Sequence, residues 1–124
     1  MKLPLLTVTT AVLTATGVLA DSMQVWIYCY GGCTYDGRFH TAYGSFDVDA
    51  KDGCRGTSVT GMTEFCVDWP RKRGHFKFQN QDRRCMVQTV EEHGFDDPRC
   101  GVELDCWYAV MEERPCTWEW EIEL

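Results

Sequence analysis

Eight cysteines are the residues of this chain best suited to covalent chemistry. Three fates are open to each: nucleophile, metal ligand or disulfide partner. An even count leaves no obvious unpaired thiol for nucleophilic catalysis. A zinc site needs clustered ligands, but no C-x-x-C occurs and the three histidines (His40, His75 and His93) are scattered. No metal and no other cofactor is therefore expected. Cys29, Cys33, Cys54, Cys66, Cys85, Cys100, Cys106 and Cys116 are expected to form four bridges, in any of 105 pairings. The chain also lacks G-x-S-x-G, H-E-x-x-H, a P-loop and a dinucleotide fingerprint.

Disulfides persist outside the reducing cytosol, and the first twenty residues read as the matching address. Met1-Lys2 supplies a positive start, and Leu3 to Ala20 then carries no charge and closes on Val18-Leu19-Ala20. Residues 1–20 are expected to be a secretory signal peptide cut after Ala20, leaving 21–124 as a secreted, extracellular, cysteine-rich domain. No later apolar run approaches the length of a membrane span, so none is expected. A length of 124 residues suggests one domain. So small a core benefits from covalent staples. With 44% hydrophobic and 13% aromatic residues, wholesale disorder is excluded.

The elements that must position these residues read as strands. Gln24 to Tyr30 places Val25, Ile27 and Cys29 on one side and Trp26, Tyr28 and Tyr30 on the other. A second strand is predicted over His40 to Val48, after a turn at Asp36-Gly37. Met62 to Trp69 reads as a third, stopped by Pro70. His75 to Phe78 and Cys85 to Val90 follow, and Glu91 to Gly101 reads as a long loop. Val102 to Met111 suits a strand or a short helix. Trp118, Trp120 and Ile122 alternate with Glu119, Glu121 and Glu123, as a strand covering a core would. The predicted fold is a small, disulfide-stapled single domain that is mainly β, with α+β and one short helix as the variant.

Charge is unevenly placed. Twelve Lys and Arg stand against nineteen Asp and Glu, a net of -7 that argues against a general nucleic-acid coat protein. Yet Arg71, Lys72, Arg73, Lys77, Arg83 and Arg84 crowd one stretch with a single acid, Asp82. Such a stretch either faces acidic loops within the fold or meets a partner. On the second reading these six residues, with Trp69 and Phe76 at their edge, form the binding surface, because Arg and aromatic side chains are favoured anchors.

His40-Thr41-Ala42-Tyr43, Phe46-Asp47, Glu64-Phe65, Asp82-Arg83 and His93-Gly94 follow one another in an order that resembles the motifs of secreted microbial guanyl-specific ribonucleases. The resemblance implies Glu64 as base and His93 as acid, with His40 and Arg83 stabilising the phosphorane and Phe46 stacking on the base. RNA would be a partner only on that reading. Arg71-Lys72-Arg73 resembles a kexin-type processing site, and cutting there would leave two pieces with four cysteines each, as in killer-toxin-like precursors.

As a whole, the leader, the length, the cysteine count and the acidic balance resemble small secreted cysteine-rich proteins of filamentous fungi. That resemblance implies an effector-type binding protein acting without catalysis on a host or competitor, with uptake into host cells as one route. Its partner would be a host protein, a polysaccharide or an anionic surface. An antimicrobial or killer-type toxin and a ribonuclease-like protein, active or degenerate, are the alternatives.

Overall fold

A computed structural model describes residues 20–118, which form one eight-stranded sheet. Its strands are β1 (Ser22–Cys29), β2 (Cys33–Thr41), β3 (Gly44–Asp49), β4 (Gly53–Cys54), β5 (Met62–Asp68), β6 (Arg73–Phe78), β7 (Arg84–His93) and β8 (Asp105–Arg114). The only helical piece among the described residues is the 3-10 turn Trp69–Arg71, which Pro70 helps to open. The fold is thus mainly β, and the stretch after Val102 is strand rather than helix. The strand expected around Trp118 to Ile122 falls largely in 119–124, outside the described residues.

The predicted second strand is in fact a hairpin. Thr41 Oγ1 accepts from the Tyr43 amide at 3.0 Å and donates to the Gly44 carbonyl at 3.1 Å, making the turn between β2 and β3. Asp36-Gly37 makes no turn and lies in mid-strand. Gly37 is needed there for close approach, since a Cβ would meet Val48 Cγ2 at 2.8 Å.

The strand order is β3-β2-β1-β8-β7-β6-β5-β4, with every ladder antiparallel. The two edge strands, β3 and β4, are joined by residues 50–52 alone. Three residues extend roughly 10 Å, so the edges must come together and the sheet must curl. Contacts across the interior register the curl: the Phe39 ring on β2 meets Phe76 on β6 at 5.0 Å and Phe65 on β5 at 6.1 Å. Trp69 pins the seam, donating from its indole to the Ala50 carbonyl at 2.8 Å and from its amide to Asp52 at 2.8 Å.

Strand alternation sends Met23, Val25, Phe39, Phe65, Phe76, Met86 and Met111 to the concave side, where they form the core. The bridges are Cys29–Cys33, Cys54–Cys66, Cys85–Cys116 and Cys100–Cys106. The first two join residues already opposite each other in a ladder. Cys85–Cys116 spans 31 positions and ties the segment after β8 to β7. By loop entropy it is worth about 3.5 kcal/mol, against about 2 kcal/mol for Cys29–Cys33.

Gly74 on β6 has no room for a side chain, because a Cβ would lie 2.7 Å from the Cys66 carbonyl oxygen and 2.8 Å from Met86 Cε. Gly74→Ala should cost about 1–3 kcal/mol by urea denaturation. Gly56→Ala, which enters open space, should stay within about 0.5 kcal/mol. Equal effects would mean that β5, β6 and β7 are less tightly apposed than described.

Candidate functional site

The convex face carries the side chains that the core does not use. β1 turns Gln24, Trp26 and Tyr28 outward between Met23, Val25 and Ile27. Register then builds a hydrogen-bonded chain across four strands. Ser45 Oγ on β3 lies 2.6 Å from His40 Nδ1 on β2, and His40 Nε2 lies 2.6 Å from Gln24 Oε1. Gln24 Nε2 donates to the Tyr108 hydroxyl on β8 at 2.9 Å. With Gln24 Nε2 turned to Tyr108, Gln24 Oε1 accepts from His40 Nε2.

Beside that chain, Trp26 packs on Tyr108 with ring centroids 5.5 Å apart, and Tyr28 meets the edge of Phe95 at 5.3 Å. The Arg99 guanidinium lies 5.4 Å over Tyr28 and pairs with Asp97 at 2.9 Å. Hydrogen bonds from the Arg99 side chain and backbone hold the Asp97 carboxyl at about 2. Trp26, Tyr28, Phe95 and Tyr108 are all partly exposed, forming an aromatic strip flanked by Asp36 opposite Trp26 and Glu92 opposite Tyr108.

A second cluster surrounds Glu64 on β5. Arg83 grips its carboxylate with Nε at 2.6 Å and Nη2 at 2.7 Å, while His75 Nδ1 on β6 lies 2.6 Å from Oε2. The Arg83 hydrogen bonds hold the Glu64 carboxyl below its ordinary range, against partial burial and with help from His75. A carboxylate so engaged is a weak proton acceptor. Ligand atoms of Glu64, Cys66 and His75 lie within 4.8 Å of one another. Since the Cys66 sulfur is bonded to Cys54, this trio offers a metal one carboxylate and one imidazole but no thiolate.

The four residues of the ribonuclease-like set are not assembled at one point. Glu64 and Arg83 meet, but His40 belongs to the convex chain on β2. His93 ends β7, with Nε2 at 2.6 Å from Asp105 and its ring stacked on Trp107 at 4.0 Å. Arg84 begins that strand and nine rises separate the two ends, about 30 Å. Phe46 is packed against the core.

The basic stretch is largely paired within the fold. Arg71 meets Asp68 at 2.9 Å and Lys72 meets Glu91 at 2.9 Å. Arg73 lies 3.9 Å from Asp68 and 4.5 Å over the Trp118 ring. Arg83 holds Glu64, and Arg84 holds Asp21 and Glu113. Lys77 alone of the six has no side-chain partner among the described residues. Trp69 stacks on Tyr35 at 5.5 Å. Phe76, expected at the patch edge, is fully buried, because strand alternation turns His75 and Lys77 outward and Phe76 into the core. None of the four bridges crosses Arg73, so a cut after it would leave two pieces with no covalent link.

Sequence reasoning passed over the Trp26, Tyr28 and Tyr108 strip. The signal was present in the 24–30 alternation, where the large aromatics stand on the side opposite Val25 and Ile27. No family profile, characterised protein or solved structure matches this chain.

Because the Glu64 carboxyl is held low, its stabilising pairs are present above the ordinary carboxyl range and are lost as pH falls through the lowered folded value. Glu64→Gln should cost about 1–2 kcal/mol near neutral pH, a range reduced for partial exposure. The deficit relative to wild type should shrink as pH falls through that lowered value. Denaturation curves across that range measure it, and a deficit that does not change with pH would rule out the charged pairs as its source.

Proposed function

We propose that this protein is an exported, disulfide-stapled binding protein of the effector type, acting by contact on a host or a competing organism. The observation that carries the reading is the aromatic strip of Trp26, Tyr28, Phe95 and Tyr108 on the convex face. Trp26 and Tyr108 support the sheet as a cross-strand pair, and with Tyr28 and Phe95 they leave a partly exposed aromatic surface of the kind binding sites favour for large contact area at low entropy cost.

Charge selects the partner. With Asp36 and Glu92 beside the strip, and an excess of acids in the chain, the complementary surface is apolar at its centre and carries Lys or Arg at its rim. A host or competitor protein fits that description. The pairing of Arg71, Lys72, Arg73, Arg83 and Arg84 within the fold weighs against an anionic surface as the partner. Four bridges suit the oxidising space outside cells and keep the unfolded state restricted there. Among the described residues no helix is long and apolar enough to cross a membrane.

The test is a dose-response assay of purified protein on host tissue and on competing microbes. Trp26→Ala with Tyr108→Ala should raise the effective dose at least about tenfold, as loss of a binding hot spot does. Charge reversal at Arg71 and Lys72 should change it little, and both variants should keep the wild-type circular dichroism. An undiminished response from the aromatic variant would refute the strip. Retention on insoluble polysaccharide would redirect the partner to a glycan.

A further inference from the structure

Asp21 is the one charged residue buried among the described residues, 5% exposed at the start of β1. Its carboxylate lies 3.2 Å from Arg84 Nη2 on β7. Arg84 also grips Glu113 on β8, Nε at 2.8 Å and Nη2 at 2.7 Å, while its guanidinium lies 5.0 Å over the Phe76 ring. Two carboxylates therefore share one guanidinium at an end of the core, leaving a net charge of one negative unit in a partly desolvated place. Burial accordingly pushes the Asp21 carboxyl up. The missing positive charge has an obvious position. The Asp21 backbone nitrogen points at Glu113 and donates to its Oε1 at 2.9 Å.

We propose that the Ala20–Asp21 bond is a processing site and that the α-ammonium released on Asp21 is a built-in structural cation. Hydrolysis adds one water across that peptide bond: Ala20 leaves with a carboxylate, and the nitrogen of Asp21 takes up protons to become an ammonium. The atom that donates a neutral amide bond to Glu113 in the uncut chain then donates a charge-assisted one. Arg84 and the ammonium balance Asp21 and Glu113, and the cluster becomes neutral. Removing the leader thus completes the end of the sheet as well as freeing the chain. This rests on export, as the proposed function does, but not on the aromatic strip. Loss of partner binding leaves it standing, and a different first residue leaves the strip standing.

The groups facing the ammonium are the Asp21 carboxylate itself, Glu113 of β8 and Arg84 of β7. Glu112 of β8 and His40 of β2 lie opposite the next residue, Ser22. An α-amine ordinarily titrates near 8, and pairing with carboxylates raises its folded value. Its contribution is then fully present below about pH 8 and is lost as pH rises through the raised value.

The full chain should be secreted from eukaryotic cells and its first residue read by N-terminal sequencing. Melting temperature should then be followed from about pH 6 to 10, spanning that titration. Two variants accompany it: one glycine inserted after Ala20, which moves the ammonium by about 3.3 Å, and Glu113→Gln. The product should begin at Asp21, and its Tm should fall by about 4–8 °C across the amine titration. That fall should be absent from both variants, and the insertion should melt lower than wild type at neutral pH. A first residue other than Asp21, or a pH profile shared by wild type and the variants, would overturn the proposal. Should one variant not be secreted, the other and the wild-type product decide.

Discussion

Asp49 and Gly53 end the two edge strands of a single sheet, yet only residues 50–52 lie between them. That short tether is the constraint on which the rest of the molecule depends. A flat eight-stranded sheet would hold its edges more than 30 Å apart at the usual spacing of about 4.8 Å between strands. The chain satisfies the tether by curling, which creates a concave side, a core of three facing phenylalanines and a convex side. Trp69 secures the seam through Ala50 and Asp52. Gly37 and Gly74 lie where neighbouring strands come too close for a side chain.

Curling also decides which charges meet. Arg84 opposes Phe76 across the β6–β7 ladder and so faces the core, where its partners are the two carboxylates at the end of the curl. Arg83, one residue earlier, pairs with Glu64 instead. Neighbours in sequence thus serve two separate clusters. Most of the cations in this stretch are spent on internal pairs, so the acidic excess is what remains to face a partner.

Much of the fold was legible in the residues. Alternation in Gln24 to Tyr30 and His75 to Phe78 located β1 and β6, because a half-buried strand needs period two, while the extended segment from Met62 stopped by Pro70 located β5. The hairpin of β2 and β3 was not legible as such. Asp36-Gly37 carries the composition of a turn, whereas its glycine answers a packing need set by Val48 from another strand. Of the candidate site, the charges of the 71–84 stretch were visible but their partners were not. Glu91 and Glu113 come from elsewhere in the chain and are brought near only by the ladders, whereas Asp68 is a local neighbour that caps the turn holding Arg71. The same holds for the ribonuclease-like order of His40, Glu64, Arg83 and His93, whose succession along the chain carries no information about distance in space.

By itself the sequence determined the local periods, the even complement of cysteines and the excess of acid over base, all properties of residue type and spacing. Cysteine pairing, the inward turn of Phe76 and Arg84, and the line from Ser45 through His40 and Gln24 to Tyr108 were decided only in three dimensions. The physical reason is that strand register fixes which distant residues share a face. Register is set in turn by the tether between the edge strands and by what the concave side can enclose.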